Sequence, residues 1–232
     1  MITIRHAEER GSANLGWLDS KHTFSFGHFV DPDYMNFGPL RVINEDRIQP
    51  GEGFPTHGHE NMEIISYVLE GALEHKDSIG TGSVIRPGEV QRMSAGTGVR
   101  HSEYNPSSDQ GAHFLQIWVI PGQLNIDPGY EQKMFDPAER RGKLILVGAS
   151  DGRDGALTIH QDVDLYSAVL DDGDNVSLTM RDGRRAWVQV ARGSAQLNGR
   201  QLHPGDGAAV SDEAILEMTA TSQAEVLIFD MA

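Results

Sequence analysis

Four side chains in two short stretches carry metal-ligand chemistry: His57 and His59 in FPTHGHENME, and His101 and Glu103 in VRHSEYN. Each pair is spaced i, i+2. On a strand, side chains alternate between faces, so both members of a pair leave the same side. Imidazole nitrogens with one carboxylate oxygen form a borderline-to-hard donor set, matched to a divalent first-row metal and poorly matched to copper(I). The spacing thus points to one mononuclear centre with four ligands converging on it. Glu63 shares the parity of His57 and His59 if their strand runs straight through, and spacing alone leaves it as a competing carboxylate.

The rest of the composition narrows what such a centre can be part of. The chain has 232 residues, 38% of them hydrophobic, which suffices for the cores of one large or two modest domains. It has no cysteine, so disulfides, thiolate ligands and a cysteine nucleophile are excluded, and any metal is held by nitrogen and oxygen. A formal net charge of -15 repels phosphate backbones, and Arg140-Arg141 and Arg184-Arg185 are only local pairs, so direct nucleic-acid binding is not expected. No run reaches the about 18 to 20 apolar residues of a membrane span, and MITIRHAEERG is charged where a signal peptide is apolar. The expected compartment is the cytoplasm.

The elements that must position the ligands read as strands. LRVI, MEIISYVLEG, HFLQIWVI, KLILVG, LYSAVL, RAWVQVARG and EVLIFD are rich in β-branched and aromatic residues and are separated by Gly, Pro, Asn and Asp turns. No long stretch has a helical apolar period. Many short strands without helices predict an all-β sandwich or barrel, because each sheet must bury a face on another. The turn-rich, charged stretch Pro121 to Gly142 is the expected break, giving domains over 1-125 and 126-232. The halves echo each other: Tyr67 to Gly71 with Pro87-Gly88-Glu89 parallels Val188 to Gly193 with Pro204-Gly205-Asp206. Thr179 and Arg181 occupy the positions that correspond to His57 and His59, so only the first half is expected to bind metal. Eight of the ten histidines lie at or before His113, in agreement.

Gly51-x5-His57-x-His59-x3-Glu63 followed by Gly71 resembles the first cupin motif, and Pro87-Gly88-Glu89 begins something similar to the second. The second departs from the general pattern, because its histidine comes late, after Met93 to Arg100, and is followed by Ser102-Glu103. With HTFSFG at His22 to Gly27, LRVINED at Leu40 to Asp46, SYVLEG at Ser66 to Gly71 and HSEYNPS at His101 to Ser107, this arrangement closely resembles the pirin family over most of the first 120 residues. The second half resembles it only in the general barrel pattern.

The resemblance implies a bicupin: two cupin-like jelly-roll or β-barrel domains, the first holding one metal on His57, His59, His101 and Glu103. It ranks Glu103 above Glu63. The ion is expected to be iron(II), with Ni, Co, Cu, Zn or Mn able to occupy the site. Two positions of a six-coordinate ion would remain for an aromatic substrate and dioxygen, and pirins with flavonol-cleaving activity imply a quercetin 2,3-dioxygenase reaction with loss of carbon monoxide. Glu103 is then both ligand and general base. A second reading from the family is a non-enzymatic regulator acting through protein contacts, and a third is a metal-dependent isomerase of sugars or small acids.

Other features receive structural readings. His75 and His113 are expected to be structural histidines, and Phe24, Phe26, Phe29, Phe37 and Met35 to fill a core. Ser94 to Gly98 lacks the lysine of a phosphate-binding loop and precedes a strand, so it reads as a turn that aims His101 inward. Asp171 to Asp174 reads as a solvated hairpin tip.

Overall fold

A computed structural model describes residues 1-232, and nearly all of its regular structure is strand. The all-β expectation holds, with two cupin domains. The chain divides into one unit comprising Gly11-Met134 with Leu157-Gln161, and another comprising Met1-Arg10, Phe135-Ala156 and Asp162-Ala232. This departs from the expected 1-125 and 126-232. Strand pairing is the reason. Ile2-Arg5 pairs antiparallel with Gly207-Ser211 in the second unit. Gly129-Met134, inside the stretch read as a break, is an edge strand paired with Glu89-Ser94. Its residues are mostly polar and partly buried or exposed, so it lacks the apolar run that marks an interior strand.

The first unit has two antiparallel sheets. One runs in the order Gly129-Met134, Glu89-Ser94, Glu63-Glu70, Ala112-Val119, Leu40-Ile48, Leu18-His22, Gly11-Asn14; the other runs Gly53-His59, Val99-Tyr104, Leu73-Asp77, Gly82-Ile85. Leu73 and Ile85 of the small sheet pack with Leu18, Ile48, Val68 and Phe114 of the large one, so the sheets meet face to face as a sandwich. Alternation along Ala112-Val119 sends Phe114, Gln116 and Trp118 to the same face. Phe114 joins this apolar cluster, and Trp118 packs on a separate one of Ile64, Met93, Ala95 and Val99. Gln116, between them, opens a polar layer inside the sandwich, shared by Ser66 and Glu103.

In the second unit the strands run Ile2-Arg5, Gly207-Ser211, Arg185-Arg192, Ala224-Met231, Val163-Leu170, Ile145-Ala149, with a second sheet of Asn175-Thr179, Ile215-Ala220, Ala195-Leu197 and Arg200-Leu202. Its main apolar cluster includes Val188, Val190, Leu197, Leu216, Val226 and Ile228. The sequence echo has a structural counterpart. Gly71 ends its strand at φ 71° against the backbone of Gly111 and Ala112, and Gly193 ends its own at φ 64° against that of Gln223 and Ala224. A Cβ would collide with a backbone carbonyl at either place, so both closures require glycine. Asp171 to Asp174 lies in the turn between Val163-Leu170 and Asn175-Thr179, but these strands belong to different sheets, so the stretch links the two sheets and is not the hairpin tip expected from its composition. Among the described residues, no helix is long and apolar enough to cross a membrane.

Candidate metal centre

His57 and His59 close the strand Gly53-His59, and His101 and Glu103 lie on its antiparallel neighbour Val99-Tyr104, with His101 directly opposite His57. The register slips between His101 and Glu103, leaving an extra residue on the first strand beside Pro55. Proline has no amide hydrogen for the ladder, so a bulge suits it. The Pro55 carbonyl accepts the His57 Nδ1 hydrogen at 2.8 Å, which leaves the His57 Nε2 lone pair facing inward.

Three imidazoles converge. Ring centroids are 4.8 Å apart for His57 and His59, 4.5 Å for His57 and His101, and 4.9 Å for His59 and His101. His57 Nε2 faces His101 Nε2 at 3.1 Å, and His59 Nε2 is buried without a hydrogen-bond partner. Burial, then the charge of His57, lowers the His59 pKa to about 4; the same causes, with His59 and His75 added, lower that of His101 to about 2. Both rings are therefore neutral well below pH 7, with lone pairs ready to donate. An unpartnered buried nitrogen and two facing nitrogens fit a bound cation better than any arrangement of hydrogens, and the nitrogen-rich donor set fits a divalent transition metal.

Glu103 lies in an overlapping group with His101 and His75, whose ligand atoms all fall within 4.8 Å of one another. It is 1% exposed, and its oxygens accept from Ser66 Oγ at 3.1 Å and Gln116 Nε2 at 2.9 Å. Burial pushes its pKa up to about 7 against the Ser66 hydrogen bond, with the Asp46 charge adding to the rise. The sequence-expected ligands thus form two clusters that share His101. The competing carboxylate, Glu63, is in neither. Asn61 takes φ 49° between the strands Gly53-His59 and Glu63-Glu70, so the parity that linked Glu63 to the histidines is broken. Glu63 Oε2 instead accepts from the His160 backbone N–H at 3.1 Å and sits 3.1 Å from its Nδ1.

His113 is paired with Glu45 at 2.9 Å, a structural arrangement as expected. His75 differs: it stands against His101, a proximity its position in the chain did not announce. A cavity of about 460 Å³ opens beside the site, and both His57 and Glu103 line it. Phe26, Phe29, Phe54 and Trp118 supply aromatic wall, while Asn44 and Asp46 are among its polar lining. Phe26 and Phe29 are therefore wall and not core, whereas Phe24 is core as expected and Met35 is exposed. Their aromatic character was visible in sequence; that they face a hollow was not.

The Pirin family profile matches residues 3-119, and a quercetinase C-terminal cupin domain profile matches residues 146-231. A quercetin 2,3-dioxygenase of Escherichia coli K12 is 50% identical over 232 residues, covering 100% of this chain and 99% of its own. The crystal structure of YhhW from E. coli superposes with TM-score 0.96 at 48% identity, covering 100% of this chain and 98% of that one. A bacterial pirin YhhW structure in complex with nickel(II), also from E. coli, does so with TM-score 0.94 at 48% identity, covering 100% and 99%.

Proposed function

The chain belongs to the pirin family, and from that premise and the geometry of the site we propose that it is a metal-dependent dioxygenase that opens the heterocyclic ring of a flavonol such as quercetin with dioxygen and releases carbon monoxide. The observation that carries the proposal is that His57 and Glu103 line one cavity of about 460 Å³ with aromatic walls. That volume lies in the range of small-molecule sites. A planar polyphenol presents two apolar faces and a polar edge. Phe26, Phe29 and Trp118 suit the faces.

His57, His59, His101 and Glu103 would hold the ion, iron(II) in this reading. When bound it supplies Lewis acidity and a template on which a substrate oxygen and dioxygen meet. Glu103 takes the proton of the flavonol 3-hydroxyl. A buried carboxylate that lines the substrate cavity is placed within reach of such a proton. Gln116 orients it: the Trp118 indole N–H donates to Gln116 Oε1 at 3.3 Å, which turns Gln116 Nε2 onto Glu103 Oε2 at 2.9 Å. The carboxylate keeps lone pairs for the substrate hydroxyl beyond the two hydrogen bonds it already accepts.

Oxygen uptake by protein reconstituted with Fe(II), and separately with Ni(II), tests this. Quercetin should drive uptake, and its 3-O-methyl ether should not, because it has no proton for Glu103 to take. No uptake by the metallated wild type on any flavonol overturns the proposal in favour of a regulator.

A further inference from the structure

Behind His101 stands a line of buried side chains that ends on a carboxylate. His75 and Asp77 lie two residues apart on Leu73-Asp77, which pairs with Val99-Tyr104 so that Asp77 is opposite His101 and His75 opposite Glu103. His75 Nε2 is 2.9 Å from Asp77 Oδ2, with both side chains 0% exposed. His75 Nδ1 is 3.4 Å from His101 Nδ1, and the opposite nitrogen of His101 faces His57. The Tyr130 ring lies against His75 at 4.9 Å, which holds the plane of that imidazole.

We infer that His75 and Asp77 are positioning residues that fix the tautomer of His101, so that its Nε2 offers a lone pair to the metal on which the proposed function depends. The direction of the hydrogen bonds is set from the far end. Asp77 Oδ1 already accepts the backbone N–H groups of Ile79 at 3.0 Å and Thr81 at 2.9 Å. Its Oδ2 accepts in turn from His75 Nε2, so the proton of His75 is on Nε2 and its Nδ1 is an acceptor. The one neutral tautomer of His101 that complements this acceptor carries its hydrogen on Nδ1. Its Nε2 is then bare. The opposite tautomer of His101 would set two lone pairs against each other across 3.4 Å and place its hydrogen toward His57. A hydrogen-bonded carboxylate that orients a metal-binding imidazole is a general device of metal sites, here extended by one ring.

Asp77→Asn is the informative variant, because it keeps the shape and reverses the last link. The Ile79 and Thr81 N–H groups need an acceptor, so the new amide oxygen takes the Oδ1 position and its NH2 points at His75 Nε2. His75 must then carry its hydrogen on Nδ1, which drives the His101 hydrogen to Nε2. Ni(II) affinity of the metal-free full chain, measured by calorimetry, should fall roughly 10- to 100-fold. Histidine 15N chemical shifts should place the His101 hydrogen on Nδ1 in the wild type and on Nε2 in the variant. His75→Gln, whose amide can accept from His101 and donate to Asp77, should retain most of the affinity, while His75→Leu should lose it as Asp77→Asn does. A wild-type His101 hydrogen on Nε2 overturns the inference without any variant. So does unchanged Ni(II) affinity in Asp77→Asn, or equal losses in His75→Gln and His75→Leu, which would mark a packing role. Because no substrate enters these measurements, protein that binds Ni(II) with these properties but consumes no oxygen with flavonols overturns the flavonol reading alone. Wild-type protein that takes up no Ni(II) overturns this inference too.

Discussion

Two carboxylates that compete as ligands in the sequence have different chemistry because of what each accepts. Glu103 sits in the polar layer between Ser66 and Gln116, next to His101, whereas Glu63 is occupied by His160. Glu103→Gln should weaken Ni(II) retention and, with metal loading restored, lower flavonol turnover by about 10² to 10⁴, while Glu63→Gln should leave metal retention nearly unchanged. Equilibrium dialysis with oxygen uptake checks both. Asp46, 3% exposed in the cavity wall, carries a different consequence: burial raises its pKa to about 7, opposed by the Ser20 hydrogen bond and aided by Glu45 and Asp19. Above pH about 4 the unfolded chain releases this proton and the native one keeps it until about 7, so the contribution of Asp46 to stability falls as pH rises through that window, by up to about 1.4 kcal/mol per pH unit. His59 and His101 act with the opposite sign below pH 6.5, since their native values are lowered. Comparing Asp46→Asn with wild type cancels them. In metal-free protein the variant should gain on the wild type from pH 4 to 7 and then level off, as read by urea unfolding across pH.

At the level of elements, the site depends on the pairing of three polar strands, Gly53-His59, Val99-Tyr104 and Leu73-Asp77, within the small sheet. None has the β-branched run that marked the other strands: Leu73 and Val99 join apolar clusters, while His57, His75, His101 and Glu103 serve the site instead. Their neighbours in the large sheet are held in place by closures such as Gly71. A side chain there combines positive φ with a clash against the Gly111 carbonyl, and the same holds for Gly193 against Gln223. Gly71→Ala and Gly193→Ala should each destabilise the chain by about 1 to 3 kcal/mol or more, visible as a lower denaturation midpoint. Equal penalties would support the two closures as counterparts.

For the whole chain, both metal-ligand groups among the described residues lie in the first unit. In the second, Arg181 is paired with Asp164 at 3.0 Å, and the main cluster between the strands is apolar. Elemental analysis should return one divalent metal per chain, and His57→Ala or His101→Ala should remove most of it. Two equivalents that are lost on changing second-unit residues would contradict this. Each unit has its own apolar core, so removing the metal should lower the melting temperature by the linkage expected of any bound ligand yet leave a cooperative fold. Circular dichroism before and after chelation measures this, and global unfolding would show that the ion and not the core holds the first unit together.

The sequence by itself determined the pairing of the candidate ligands and the fold class, because both follow from local rules. An i, i+2 spacing on a strand puts His57 with His59, and turn residues between short β-prone runs announce an all-β chain. The tertiary structure decided what depends on distant partners. His75, 26 residues from His101, becomes its neighbour only through strand register. Glu63 leaves the site because Asn61 interrupts the strand, and Phe26 and Phe29 become cavity wall because of what the sheets leave open between them. Gly129-Met134 is a strand because Glu89-Ser94 offers it an edge. Backbone pairing and packing join residues without regard to their separation along the chain, so these assignments have no local signature to read.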